Sequence, residues 1–147
     1  MNGAALLDVN VLVSLFDPDH VHHEIAHDWF SQNGQERWAT CPLTENGFLR
    51  TANAARSADL VPLPELIDHL QRFRLSGGHE FWPDDATLLD ADLFNRQQIR
   101  GRRQLTDVYL LGLAMKRRGR FVTFDRHVPL TAVKGAGPEN LIVLAPT

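Results

Sequence analysis

Residues Ala4 to Phe16 read AALLDVNVLVSLF, and the fold turns on how this stretch is divided. Four small or apolar residues run into Asp8, Asn10 follows two positions later, and a second apolar run ends at Leu15-Phe16. A short apolar run of this kind predicts a buried strand, with Asp8 at its carboxyl end. Val9 to Phe16 then turns into a helix, whose first N–H groups point at the same place. In open α/β sheets the carboxyl edge of the strands is where ligands bind. Taken alone, Asp8 is better explained as a helix N-cap, a role that Asp favours. A functional role needs other carboxylates to arrive at the same edge.

Working outward, the chain supplies three more acidic residues in the same kind of position. Arg37 to Pro42 predicts a second strand, and Leu43 onward a helix with Glu45 in its first turn. Leu105-Thr106-Asp107 starts another helix, with Thr106 as N-cap candidate and Asp107 in the first turn. Arg120 to Asp125 predicts a strand that again delivers a carboxylate at its end. Leu141 to Leu144 predicts a last strand. Strands that alternate with helices argue for a mostly parallel central sheet covered on both faces, a three-layer α/β/α domain spanning 1–147. Such a sheet collects its strand ends on one edge.

Other stretches fit this frame. His22 to Asn33 predicts a helix that stops at Gly34, and Pro62 opens a helix with Leu66, Ile67, Leu70 and Phe73 as its apolar face. His79 to Trp82 predicts a short strand. Ala86 to Phe94 predicts a helix with Leu88, Leu89 and Leu93 inward, and Asp84 and Asp85 as its caps. Residues 131–139 predict a loop. The polar run 95–104, NRQQIRGRRQ, places Arg100, Arg102 and Arg103 just before Asp107, as a solvated loop or a phosphate contact.

Composition narrows the classes. The chain has 147 residues and a net charge of -3, so it is not a basic coat for nucleic acid. Bound divalent metal would still let an acidic site meet phosphate. The one cysteine, Cys41, excludes an internal disulfide and predicts a small core residue. No apolar run approaches a membrane span, and no leader pattern opens the chain, so a cytoplasmic protein is expected. His23 and His27 stand at the i, i+4 spacing of a metal-binding helix face, but the further ligands that zinc needs are missing. Exposed helix-face histidines account for them better.

Asp8, Glu45, Asp107 and Asp125 at one edge would repel one another and shift one another's proton affinities. A divalent cation relieves that repulsion, and an all-oxygen donor set favours Mg2+ or Mn2+. Asn10, Thr44 and Thr123 flank these acids and are placed to orient them or a water. The chemistry implied is metal-assisted phosphodiester hydrolysis by water.

Leu7-Asp8-Val9-Asn10, Thr44-Glu45, Leu105-Thr106-Asp107 with Ala114, and Val122-Thr123-Phe124-Asp125 together resemble a PIN domain. Within that group the chain is similar to VapC-type toxins of bacterial toxin–antitoxin pairs. The resemblance implies a Mg2+- or Mn2+-dependent endoribonuclease. It makes Asp8, Glu45, Asp107 and Asp125 the catalytic metal site, with Asn10, Thr44 and Thr123 in support. It also implies transfer or ribosomal RNA as substrate, a cognate antitoxin as partner, and a homodimer. The segment from Leu63 to Phe94 carries no signature of the family. Two alternatives remain at this point: a catalytically inactive PIN-like module that binds RNA or protein, and a phosphatase of the haloacid dehalogenase type. The phosphatase needs an Asp where this chain has Asn10. A dinucleotide-binding domain is disfavoured by the missing Gly-x-Gly-x-x-Gly.

Overall fold

In the computed structural model, which describes residues 3–54 and 61–145, five strands form one sheet in the order β3-β2-β1-β4-β5. The strands are β1 (Ala5–Leu7), β2 (Trp38–Thr40), β3 (His79–Phe81), β4 (Arg120–Thr123) and β5 (Leu141–Val143). Every pairing is parallel, with Leu6 beside Ala39 on one side and beside Phe121 on the other. All three residues of β1 are buried, as a central parallel strand covered on both faces requires. Helices α1 (Val9–Phe16), α2 (His23–Trp29), α3 (Pro42–Ala54) and α4 (Leu63–Phe73) precede β3, and α5 (Leu105–Lys116) precedes β4. Among the described residues no helix is long and apolar enough to cross a membrane.

Alternation along the strands sorts the core into two layers. Ala5, Leu7, Trp38 and Val122 pack with Val11 and Leu12 of α1, Phe48 of α3 and Leu70 of α4. Leu6, Ala39 and Phe121 face the other way, onto Val108, Leu111 and Ala114 of α5. Each large side chain buried here stabilises the fold by about 1.5–3 kcal/mol. The result is the expected three-layer α/β/α arrangement. The segment α5 is apolar on nearly every side because it is enclosed, with Val108 and the whole of Leu110 to Ala114 buried. Gly112 gives Phe94 room to lie against this helix; a Cβ there would run into the phenyl ring.

Several sequence expectations need correction. Residues 86–94 form turns, not a helix. The Thr87 hydroxyl accepts from Leu89 N–H, and Asp90 Oδ1 accepts from Asp92 N–H, so short polar side chains satisfy the backbone locally. The end of the segment is held extended, with Phe94 bridged to Val133 and Asn95 N–H on the Ala132 carbonyl. Leu89, expected inside, is 83% exposed. Asp84 and Asp85 cap no helix of their own. Asp84 instead accepts from Leu43 N–H at the start of α3 (3.0 Å) and from the Tyr109 hydroxyl, while Asp85 pairs with Arg117 at 2.6 Å. Helix α2 ends at Trp29 and passes into a π-turn over Phe30–Gly34. Thr106 lies inside the first turn of α5, because a 3₁₀ turn at Arg102–Gln104 starts the helix earlier and Gln104 takes the cap position. Ile67 faces solvent, leaving Leu66 and Leu70 as the buried residues of α4. Residues 131–139 include 3₁₀ turns at Leu130–Ala132 and Pro138–Asn140.

Candidate active site

The strand order runs outward from β1 to β3, then returns to β4 on the other side of β1. That reversal places a crevice between the carboxyl ends of β1 and β4, the point where open α/β sheets take their ligands. Asp8 stands at this point. Its backbone N–H continues the ladder onto the Val122 carbonyl at 2.9 Å. Its Oδ1 accepts from Val9 N–H at 2.8 Å, and its Oδ2 from the Thr123 hydroxyl at 2.7 Å. Asp8 is therefore the cap of α1 and also one end of a bridge to β4. The buried Thr123 makes the bridge, since its oxygen accepts from Asp125 N–H at 3.1 Å. Asp125 in turn accepts from His127 N–H, a local turn that fixes the carboxylate just past the strand.

Asp107 reaches the same point from the first turn of α5, where the helix dipole favours negative charge. Its carboxyl lies close enough to the Asp125 carboxylate to feel its charge. Burial, reinforced by the negative charges of Asp8 and Asp125, pushes the Asp107 carboxyl up to about 7. Burial also pushes Asp8 above the usual carboxylate range, against the pull of its bonds from Thr123 and Val9. Three carboxyl groups thus crowd one crevice. Among the described residues no Lys or Arg forms an ion pair with them.

Glu45 lies one strand over. Gly47 allows α3 to press against Val9, since a Cβ there would stand 2.5 Å from a Val9 methyl. The start of α1 and the second turn of α3 are thereby neighbours. The Glu45 side chain is held by the Thr40 hydroxyl at 2.6 Å and by Arg74 at 3.4 Å. Thr44 turns inward: its hydroxyl accepts from Cys41 N–H and donates to the Cys41 carbonyl, closing the start of α3. Asn10 is exposed on the first turn of α1. Arg100, Arg102 and Arg103 are exposed on the segment leading into α5.

The donor set suits a hard divalent cation, because Asp8, Asp107 and Asp125 offer only oxygen. Each Asp8 oxygen accepts one hydrogen bond and keeps a lone pair. Among the described residues no three His, Cys, Asp or Glu side chains already stand at metal-coordinating spacing. The histidines near α2 are tied locally, His23 Nδ1 lying 2.7 Å from the Ser14 carbonyl and His20 Nδ1 accepting from His22 N–H. Burial pushes the Cys41 thiol up to about 11, which keeps it an inert core group. Thr40, Arg74 and His79 were not apparent as site residues from sequence. Thr40 precedes Glu45 by only five positions and could have been suspected, but Arg74 and His79 arrive from α4 and β3 with no local signal.

An acidic crevice at the switch point of a parallel sheet, fed by the ends of β1 and β4 and the first turn of α5, defines a class. Residues 5–134 match the PIN domain, and the chain belongs to that family. Among its relatives it is similar to Ribonuclease VapC44 of Mycobacterium tuberculosis (strain ATCC 25618 / H37Rv), 43% identical over 140 residues, which is 95% of this chain and 99% of that one. It is also similar to Ribonuclease VapC39 of the same strain, 39% identical with 89% of this chain and 95% of the relative covered. Ribonuclease VapC38, again of that strain, is 44% identical with 84% of this chain and 86% of its own length covered.

Proposed function

We propose that this chain is a metal-dependent endoribonuclease, acting as one domain over residues 1–147 and serving as the toxin of a VapBC-type pair. The observation that carries the reading is the Asp8–Asp107–Asp125 crevice, where burial and mutual repulsion raise carboxyl proton affinity in a PIN-domain chain. The ribonuclease names of its relatives supply the substrate class. Mg2+ or Mn2+ is the cofactor that all-oxygen donors select. Asp8, Asp107, Asp125 and Glu45 would hold it. When bound, the ion supplies positive charge that relieves this repulsion, polarises a phosphate and makes a water more acidic.

The chain's own groups do the rest. The Val9 N–H and the Thr123 hydroxyl fix the Asp8 rotamer before substrate arrives. Asp107, its carboxyl pushed up to about 7, would hold the ion in its deprotonated form and is suited to exchange a proton with solvent near neutral pH. The first turn of α5 brings the positive end of its helix dipole to this edge, which favours an anion there. Asn10 flanks the site as a solvent-exposed polar group for the attacking water, while the Thr44 hydroxyl, buried against Cys41, holds the start of α3 in place. Arg100, Arg102 and Arg103 bind the phosphates of the adjoining strand. Structured transfer or ribosomal RNA is the target, a cognate antitoxin the inhibitor, and a cytoplasmic homodimer the working form.

The test is cleavage of transfer and ribosomal RNA by purified, antitoxin-free protein with Mg2+, with Mn2+ and with EDTA. Cutting in either metal and none in EDTA is expected. Asp8→Ala should be slower by at least about a thousandfold, since about 4 kcal/mol of transition-state charge stabilisation goes with it. Folded protein that binds RNA but cuts nothing in either metal would sink the nuclease reading and leave a binding module.

A further inference from the structure

We propose that Thr40 and His79 are positioning residues for Glu45, aiming its carboxylate through a hydrogen-bonded chain that runs His79–Thr40–Glu45. The inference rests on the reading of Glu45 as part of a divalent-cation site. Thr40 is the last residue of β2, fully buried, and its hydroxyl oxygen lies 2.6 Å from Glu45 Oε2. The same oxygen lies 2.8 Å from His79 Nε2. A hydroxyl carries one proton, and a carboxylate facing the Arg74 guanidinium can only accept. The Thr40 proton therefore points at Glu45. His79 must then be the donor, with its ring proton on Nε2. The order is Nε2–H to Oγ1, then Oγ1–H to Oε2. Reversing it would set two lone pairs against each other at 2.6 Å.

The surroundings hold this chain in place. Trp38 pairs with His79 and Thr40 with Phe81 across the parallel strands, so all four side chains share one face of the sheet. The His79 ring packs edge-on against Trp38 with centroids 4.5 Å apart, which limits its rotation. Burial and the nearby Arg74 charge lower the His79 ring to about 4, consistent with a neutral imidazole that carries one proton. Arg74 is steadied over the Phe81 ring at 5.3 Å. Both contacts to Glu45 fall on Oε2, so Oε1 is the oxygen this arrangement offers to a cation. Glu45, Arg74 and His79 also line an open groove with Asn46 and Gln71, so the carboxylate is reachable from solvent.

The experiment titrates Mn2+ into the whole purified chain by calorimetry, and measures the Mn2+ dependence of RNA cleavage and the melting temperature in parallel. Thr40→Val keeps the shape and removes the donor. It should weaken Mn2+ binding about tenfold, as expected when a charge-assisted hydrogen bond to a ligand is removed, and raise the Mn2+ needed for half-maximal cleavage by the same factor. Thr40→Ser should restore both to within about twofold of wild type. If Thr40→Val loses its fold, His79→Phe and His79→Gln decide on the same readouts: Gln keeps a donor near the Nε2 position and should bind Mn2+ normally, while Phe should not. Equal Mn2+ affinity in wild type and in the folded donor-deleted variants would overturn the inference while leaving the nuclease reading intact. Wild-type protein that binds no Mn2+ and cuts no RNA would overturn the metal reading itself, and this inference with it.

Discussion

At the end of β2, Glu45 has a cation beside it; at the ends of β1 and β4, Asp8, Asp107 and Asp125 have one another. The Glu45 corner is balanced within the protein by Arg74 and by a donated hydroxyl. The β1–β4 crevice has hydroxyl and amide donors but, among the described residues, no paired Lys or Arg. The first arrangement costs little in water-accessible surroundings, since Arg and carboxylate partly neutralise each other. The second raises proton affinity, and relief comes from a proton or an added cation. A carboxylate at a sheet edge is therefore not by itself informative. The missing internal counter-charge distinguishes the crevice from an ordinary surface ion pair, and it is why the crevice is the place to break the site.

The sharpest break available short of a carboxylate is Thr123. Among the described residues its hydroxyl is the only side-chain donor to Asp8, and it also receives Asp125 N–H, so one atom aligns both strand ends. Thr123→Val should slow cleavage by about 10–100-fold, the range for removing a partner that orients a metal ligand. Its effect should exceed that of Thr40→Val, because Arg74 still holds Glu45 when the Thr40 hydroxyl is gone. Equal effects would mean that the two corners are supported alike. A smaller change is expected on the basic approach to α5. Replacing Arg100, Arg102 and Arg103 together with Ala should weaken RNA binding about tenfold while leaving turnover of saturating substrate unchanged. The slope of log affinity against log salt should become shallower by about 2, at roughly 0.7 for each phosphate no longer neutralised. An unchanged slope would remove these residues from the substrate path.

The sheet was legible because its strands are short apolar runs ended by the residues that matter. Ala4 to Leu7 is buried on both faces, and Asp8 follows directly. The 86–94 region was not legible, because an apolar spacing that suits a helix was overruled by Thr87 and Asp90 bonding their own backbone and by the bridge from Phe94 to Val133. At the site, sequence could name four acids but could not say which of them share a crevice. That division depends on Arg74, which lies 29 positions from Glu45 and looks like any exposed helix-end arginine until α4 is folded over α3. It depends equally on strand order, which brings Thr123 to Asp8 across 115 positions. Thr44 illustrates the converse: it sits beside Glu45 in sequence, yet its hydroxyl serves the turn at Cys41.

The smallest expected effect separates the two corners without any catalysis. Asp107 holds its proton up to about 7 in the folded protein, against 3.8 for the free side chain. Between those values the native state binds more protons than the unfolded chain, so stability falls as pH rises across that window. Below it both states are protonated and the crevice carries no penalty; above it the repulsion is fully expressed. Asp107 is only half-buried, so solvent screens much of the repulsion and the net cost is about 1 kcal/mol, or roughly 2–4 °C in melting temperature for a chain of this size. Asp107→Asn should therefore melt higher than wild type by that amount at pH 8 without divalent metal, and no higher near pH 4. Adding Mn2+ at pH 8 should stabilise wild type more than the variant, since the ion does what the substitution does. Glu45→Gln should show the opposite sign at pH 8, because it strands Arg74 beside a neutral amide. Equal melting temperatures for wild type and Asp107→Asn at pH 8 would mean that the crevice carries no uncompensated charge, and the contrast between the two corners would collapse.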